Sequence, residues 1–180
     1  MESTSTPQVA IGRAEQLASY ERALCCRAAQ LVSSRLLLGL FRSASRLGDW
    51  PLSVIVALLL ATTSGWAHLA AWTAASLTAV ALQKQLKHRC ARIRPCERPD
   101  GPPQRAPIPD AGSFPSGHTL HSVMAAVVIA GLLPVLAPGF ALIALTIALS
   151  RVVLGVHYPS DVAAGGALGA LLGAALCAVF

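Results

Sequence analysis

The sequence predicts an all-α fold, a polytopic membrane helix bundle of five to six transmembrane helices. Two observations predict it. Charged residues make up 12% of the chain against 54% hydrophobic, with a mean hydropathy of +0.61, whereas soluble domains carry about 25% charged residues. Apolar runs also recur along the chain, separated by short Gly- and Pro-containing breaks. A backbone in lipid must satisfy its own polar groups, and for runs of this length that means helices.

The elements follow in order. Residues 1–21 read as a polar tail; Glu2 and Glu15 interrupt it and it lacks the apolar core of a secretory signal, so the apolar segments are expected to stay in the mature protein. Residues 22–180 read as a single membrane domain. Within it, residues 22–47 carry arginines on a Leu/Ala/Val background, and read either as an amphipathic helix in the interface or as the first span with snorkelling arginines. "GDWP" then breaks the chain, and Pro51 suits a helix start. Residues 51–64 and 66–86 are apolar, the first short for a span of about 20 residues. Residues 95–115 hold seven of the twelve prolines and read as a surface loop. Apolar runs at 117–133, 139–154 and 160–179 complete the bundle. The last is rich in Gly and Ala, which suits close helix packing in a bilayer.

The net charge of +6 is split into two basic blocks, one before residue 48 and one between Lys84 and Arg105. This is not the pattern of a nucleic-acid binder; membrane lipids are the expected partners, and no feature sets an oligomeric state. Five cysteines show no disulfide-framework spacing. Cys90 and Cys96 are close enough in sequence to pair if their loop faces an oxidising compartment.

Ionisable groups in membrane segments are costly and are functional candidates by default. From residue 111 onward the chain has His118, His121, Arg151, His157 and Asp161, all near segment ends. In "PSGH", Ser116 suits an N-cap and Gly117 the first helical residue. The N–H groups at 116–118 would face an anion at a helix N-terminus, with His118 beside it. In "SRVVLGVHYPSD", Pro159 suits the first position of the last helix. Asp161 then falls in its first turn, where it can cap the helix or reach back to His157 and fix that imidazole's tautomer. In "KHRCARIRP", Lys87 and Arg94 are seven apart and would share a helix face; alone, such a cluster equally serves lipid headgroups or topology. Lys84, Arg89, Arg92, Arg98 and Arg105 read as belonging to that second class. Together the groups offer three cations, helix-start donors, an acid and a nucleophile, an inventory suited to phosphoryl transfer.

At this point the sequence resembles the type 2 phosphatidic-acid phosphatase superfamily. That family's tripartite pattern K-x6-R-P, P-S-G-H, S-R-x5-H-x3-D stands here as Lys87…Arg94-Pro95, Pro115-Ser116-Gly117-His118 and Ser150-Arg151…His157…Asp161. The resemblance implies a helical membrane enzyme that dephosphorylates a lipid phosphate or diphosphate (phosphatidic acid, phosphatidylglycerophosphate, undecaprenyl diphosphate or a relative), with its site at the membrane interface. It implies His157 as the nucleophile that forms a phosphohistidine and Asp161 as its orienting partner. His118 would be the general acid, then base, and Lys87, Arg94, Ser116, Gly117 and Arg151 the phosphate-binding set. It implies no metal and no cofactor. His121, outside the pattern, is expected to support the site or sit at the interface. In a bacterial inner membrane, to which the Ala/Leu/Arg-rich composition points, the resemblance places the site on the periplasmic face. Two other readings compete: a metal-dependent intramembrane hydrolase using His118, His121, His157 and Asp161, and a non-catalytic lipid-binding membrane protein.

Overall fold

The structure, a computed structural model, describes residues 6–108 and 110–179, with side chains from residue 15 onward. All regular structure among the described residues is helical: α1 Thr6–Leu31, α2 Arg35–Leu47, α3 Trp50–Thr63, α4 Trp66–Cys90, α5 Gly117–Leu132, α6 Ala137–Val153 and α7 Pro159–Cys177, with 3₁₀ turns at Pro95–Glu97 and Pro134–Leu136.

The N-terminal boundaries differ from the sequence expectation. Residues 1–5 of the expected tail lie outside the described residues, and the rest of it belongs to α1. The helix expected over 22–47 is instead the end of α1 and all of α2, separated at residues 32–34. Two serines stand at the break, and Ser34 is extended at ψ 132°; serine competes for backbone hydrogen bonds and favours such junctions over helix interiors. Pro51 opens α3 as expected.

Five to six spans were expected, and helix length and apolar composition together pick out fewer. Pro134–Val153 and Pro159–Cys177 are long and apolar enough to cross a bilayer; α2 and α3, bent by 55° at Gly48–Asp49, would make a third if they cross as one. The 14 residues of α3 and 16 of α5 fall short of the about 20 that span 30 Å of hydrocarbon. Leu142, Leu145 and Leu149 on α6, Leu171 on α7 and Leu58 on α3 are exposed. Such an outward apolar surface is stable against lipid and not against water. The chain is an integral membrane protein.

The helices pack around Leu52, Val56, Leu60, Trp72, Leu120, Met124, Val128, Ile129 and Ile147. Trp72 satisfies its indole N–H on the Ser53 carbonyl at 3.1 Å, tying α4 to α3. The closest contact is between α5 and α7. A Cβ at Gly165 would lie 2.4 Å from the Ser116 carbonyl oxygen, one at Gly169 2.3 Å from that of Leu120, and one at Gly173 2.8 Å from the Val127 Cβ. This stripe of three glycines at four-residue spacing brings the two backbones together as small-residue faces do in membranes. Because Gly165 meets Ser116, the stripe also brings the starts of α5 and α7 side by side, and the site forms there. Cys90 and Cys96 are both free thiols.

Candidate active site

Three stretches far apart in sequence line one cavity of about 400 Å³: Lys87 and Arg94, then Gly117 and His118, then Arg151 and His157, joined by Asp49, Asp110, Gln83 and His121. Of the eight expected site residues, six line the cavity. Ser116 and Asp161 lie behind it, both fully buried.

Lys87 and Arg94 converge by a different route from the one the spacing suggested. They do not share a helix face. Helix α4 stops at Cys90, Ala91 turns left-handed at φ 44°, and Arg94 is extended at ψ 155°. A residue before proline is disfavoured in a helix, so Pro95 forces Arg94 off it. The two cations meet instead on Asp110. Lys87 Nζ donates to both its carboxylate oxygens at 2.9 and 2.8 Å, and Arg94 Nη2 to Oδ1 at 3.0 Å. Arg94 Nη1 also donates to the Val156 carbonyl at 2.9 Å, beside the nucleophile candidate. Arg151 donates through Nη1 to Ser45. The Nε–H groups of Arg94 and Arg151 are buried with no partner among the described residues. A buried unmade donor costs about 1–3 kcal/mol, more on a charged group. Both arginines and Lys87 line the cavity, which gives it a cationic wall suited to an anion.

His157 sits in the loop between α6 and α7, 2% exposed. Its Nε2 lies 3.4 Å from Arg94 Nη1. A guanidinium only donates, so this nitrogen is unprotonated and its lone pair is turned toward Arg94 Nη1. Burial pushes the imidazole down to about 3, Arg151 and Arg94 push the same way, and Asp161 opposes. The ring is therefore neutral at physiological pH, the form a nucleophile needs.

Asp161 does more than either sequence alternative allowed. Its Oδ2 accepts the Tyr158 N–H at 2.8 Å, capping α7, and lies 3.7 Å from His157 Nδ1. That separation is too long for a hydrogen bond but places a carboxylate beside the imidazole. Its Oδ1 is held by Arg92 Nη1 at 2.6 Å. Arg92, read from sequence as an ordinary basic residue, is the hub of the site's rear. It also donates to Ser160 Oγ at 2.7 Å and to Glu21 Oε2 at 2.6 Å, and its guanidinium lies 4.1 Å over the Tyr158 ring. Glu21 Oε1 in turn accepts the Ser160 N–H at 2.8 Å, docking α1 on the start of α7.

Helix α5 supplies fewer free donors than expected. Ser116 has the extended backbone of an N-cap, but its side chain makes no cap bond. Its N–H is spent on the Asp161 carbonyl at 3.0 Å, and its hydroxyl lies 3.0 Å from that of Thr119. Ser116 thus fixes α5 to α7 here and offers no group to the cavity. A Cβ at Gly117 would lie 1.8 Å from Gln83 Oε1, an oxygen that is itself buried without a partner. His118 Nε2 lies 2.7 Å from Asp49 Oδ1. A carboxylate oxygen only accepts, so this nitrogen carries a proton, and the Asp49 carboxylate favours the imidazolium that a general acid needs. His121 lines the same cavity with Nδ1 unpartnered among the described residues.

Arg92, Glu21, Asp49 and Asp110 were the residues missed. The available signal was scarcity: the chain has eight carboxylates, and in so apolar a chain each needs a reason to be there.

The fold and the cavity define a class: a helical membrane protein that holds buried, unpaired cationic donors against a neutral imidazole. The family is equally clear. The model of the PAP2 superfamily matches residues 65–180, and the chain belongs to that superfamily. The decaprenylphosphoryl-5-phosphoribose phosphatase of Mycobacterium tuberculosis is 47% identical over 85 residues, 43% of this chain and 44% of that protein. The protein of the same name from Mycolicibacterium smegmatis is 40% identical over 116 residues, 57% of this chain and 63% of that one. The chain therefore spans about half the length of the curated relatives it matches. Among solved structures, a transmembrane PAP2-type phosphatidylglycerolphosphate phosphatase from Bacillus subtilis superposes with TM-score 0.74 at 26% identity, over 91% of this chain and 86% of that one. LpxE from Aquifex aeolicus superposes with TM-score 0.70 at 23% identity, over 86% and 92%, and shows the shared fold.

Proposed function

We propose that this protein dephosphorylates a lipid phosphate through a phosphohistidine on His157. The observation that carries the reading is the convergence of Lys87, Arg94 and Arg151 with His118 and His157 on one cavity, where His157 Nε2 is unprotonated beside Arg94. The phosphate displaces Asp110 from Lys87 and Arg94 and draws the Arg94 guanidinium off His157 Nε2, with the Gly117 and His118 N–H groups at the helix start beside it. The Nε2 lone pair attacks phosphorus, the bond to the leaving oxygen breaks, and His118 gives that oxygen its proton. Asp161 stabilises the charge that forms on the His157 ring. A water deprotonated by His118 then attacks phosphorus, breaks the P–N bond and releases phosphate. Lys87, Arg94 and Arg151 supply the positive charge, so the scheme runs without a metal.

The curated relatives are named for a phosphatase acting on a prenyl-phosphoryl phosphosugar. We take a phosphomonoester on a prenyl-linked lipid as the first substrate class, ahead of phosphatidic acid, phosphatidylglycerophosphate and undecaprenyl diphosphate. The proposed setting is a bacterial inner membrane, with the site on the extracytoplasmic face. Purified protein should release phosphate from such lipids, and His157→Ala should not, while folding normally in detergent. Turnover by His157→Ala close to the unsubstituted protein's would sink the mechanism. Labelling of the exposed Cys90 by an impermeant thiol reagent on intact cells tests the facing; protection until lysis would reverse it.

A further inference from the structure

Asp49 stands at the N-cap of α3, where an aspartate ordinarily accepts an N–H from the first turn, yet its side chain makes no such bond. Its Oδ1 lies instead 2.7 Å from His118 Nε2. The residue before it makes room for that contact. A Cβ on Gly48 would lie 3.2 Å from His118 Cδ2 and 2.8 Å from Ile147 Cγ2, so a side chain there would crowd the imidazole edge out of the α2–α3 bend. The "GDWP" break thus forms a socket for the ring: Gly48 gives the space and Asp49 the acceptor.

The socket answers a conflict of charge. The cations that suit the cavity to phosphate work against a general acid, because a neighbouring positive charge disfavours an imidazolium. Lys87 on α4, Arg94 in the loop after it and Arg151 on α6 line the cavity with His118. Exposed Arg42 and Arg46 of α2 and Arg105 of the Pro-rich loop line the adjoining cavity, which His118 also reaches. His121 and His157 bring no negative charge, and Asp110 is already bonded to Lys87 and Arg94. Among the described residues, Asp49 is the only carboxylate paired with His118.

We propose that Asp49 is the positioning residue of His118, holding its Nε2–H so that the ring stays protonated among these cations and Nδ1 delivers the proton. The role rests on the hydrolytic reading above and deepens it. In the first step the Nδ1 proton passes to the leaving oxygen as the P–O bond breaks, and His118 is left as the neutral Nε2–H tautomer on Asp49. In the second, Nδ1 takes a proton from the water that attacks phosphorus, and the imidazolium is restored. Asp49 stays ionised throughout. It precedes residue 65, where the match to the family model begins, so this partner comes from outside the shared region.

The test follows kcat/KM for farnesyl monophosphate from about pH 5 to 9 with the full-length protein in neutral detergent. The alkaline limb of that profile reports the free enzyme's essential acid. In Asp49→Asn the limb should move down by about one pH unit or more, the effect of removing a neighbouring opposite charge. Activity near pH 8 should then fall about tenfold or more and recover toward the unsubstituted value near pH 5. Titration of the substrate is common to both proteins and cancels in their ratio. Asp49→Glu, which keeps a carboxylate, should return the limb part of the way. A purely structural role would lower kcat/KM by one factor at every pH and overturn the proposal, as would an unmoved limb. Asp49 is 47% exposed, so neither variant strands a buried group. A second readout needs no turnover. In ¹⁵N-histidine spectra the His118 signals, assigned by their loss in His118→Gln, should titrate at lower pH in Asp49→Asn; an unchanged titration would overturn the role. Absence of turnover by the unsubstituted protein would overturn the hydrolytic reading itself. Turnover with a loss that ignores pH would overturn the role of Asp49 alone.

Discussion

Two arginine environments flank His157, and they differ in how their charge is answered. Behind the imidazole, Arg92 is saturated: Asp161 and Glu21 each hold one of its terminal nitrogens at 2.6 Å and Tyr158 lies under its plane. In front, Arg151 meets only the Ser45 hydroxyl among the described residues, and Arg94 shares one carboxylate, Asp110, with Lys87. Both front arginines keep a buried Nε–H without a partner. The difference separates what holds the fold from what awaits a ligand. A buried cation fully paired with carboxylates supports structure, and its removal strands those carboxylates. A buried cation left partly unpaired costs the folded state free energy that only a ligand recovers.

The sharpest way to break that contrast is at the front. Arg151→Gln should lower phosphate release about 100-fold or more, the loss expected when one preorganised donor to a developing oxyanion is removed. Its thermal unfolding midpoint should stay level or rise, because an unanswered buried charge is gone. A drop in the midpoint with activity preserved would show Arg151 to be structural and dissolve the distinction. The rear predicts the reverse. Arg92→Gln leaves Asp161 and Glu21, both buried, without their cation. About 3 kcal/mol of stability should be lost, the lower end for a broken buried pair because Arg92 itself is about a quarter exposed. Activity should fall as a consequence, and Arg92→Lys should restore one of the two pairs and part of the stability. Denaturant unfolding in detergent, read beside kcat, separates the two kinds of loss.

Asp110 sharpens the comparison from the other side. It is the only carboxylate on the front cations among the described residues, and at 30% exposure it is free to move. If it stands where phosphate binds, Asp110→Asn should tighten inhibition by vanadate or inorganic phosphate about fivefold, near 1 kcal/mol for a partly exposed ion pair. Weaker inhibition would mean instead that Asp110 positions Lys87 and Arg94 for the ligand.

The contrast also marks what was legible in the sequence. The front was legible because its residues belong to local patterns: Lys87 and Arg94 bracket a helix end, Gly117 and His118 open α5, and Arg151 lies in the last turn of α6 with His157 in the loop after it. The rear was not, because it is assembled by tertiary contacts between residues far apart; Glu21 and Arg92 are 71 positions apart, and Ser160 and Glu21 139. Arg92 looked like one more member of a basic run, and only the carboxylates arriving from α1 and α7 set it apart. Ser116 failed in the opposite way. Its place in "PSGH" suggested a ligand donor, and the glycine stripe of α7 draws Asp161 close enough to take its N–H instead. The helix order was legible from the breaks between apolar runs. The number of spans was not, because α3 and α5 stop short of the length their apolar character suggested.

The smallest effect concerns His157 itself, the group on which the two environments meet. Burial and the front arginines hold its imidazole down to about 3, while an unfolded chain binds that proton near 6.5. Between these values the unfolded state carries the extra proton, so stability rises with pH across the window. It is fully present above about 6.5 and is lost as the pH falls toward 3. For one proton the slope is at most about 1.4 kcal/mol per pH unit. His157→Gln should flatten the stability curve below pH 6.5 by that one-proton amount. Arg151→Gln, by removing a nearby cation, should move the lower end of the window up in pH and leave the slope between about pH 7 and 5 as it is. Unfolding midpoints measured from about pH 7 to 3.5 read both. An unchanged slope in His157→Gln would mean that the ring already carries a proton in the folded state. Asp161 would then outweigh the arginines in front, and His157 would lack the lone pair a nucleophile needs.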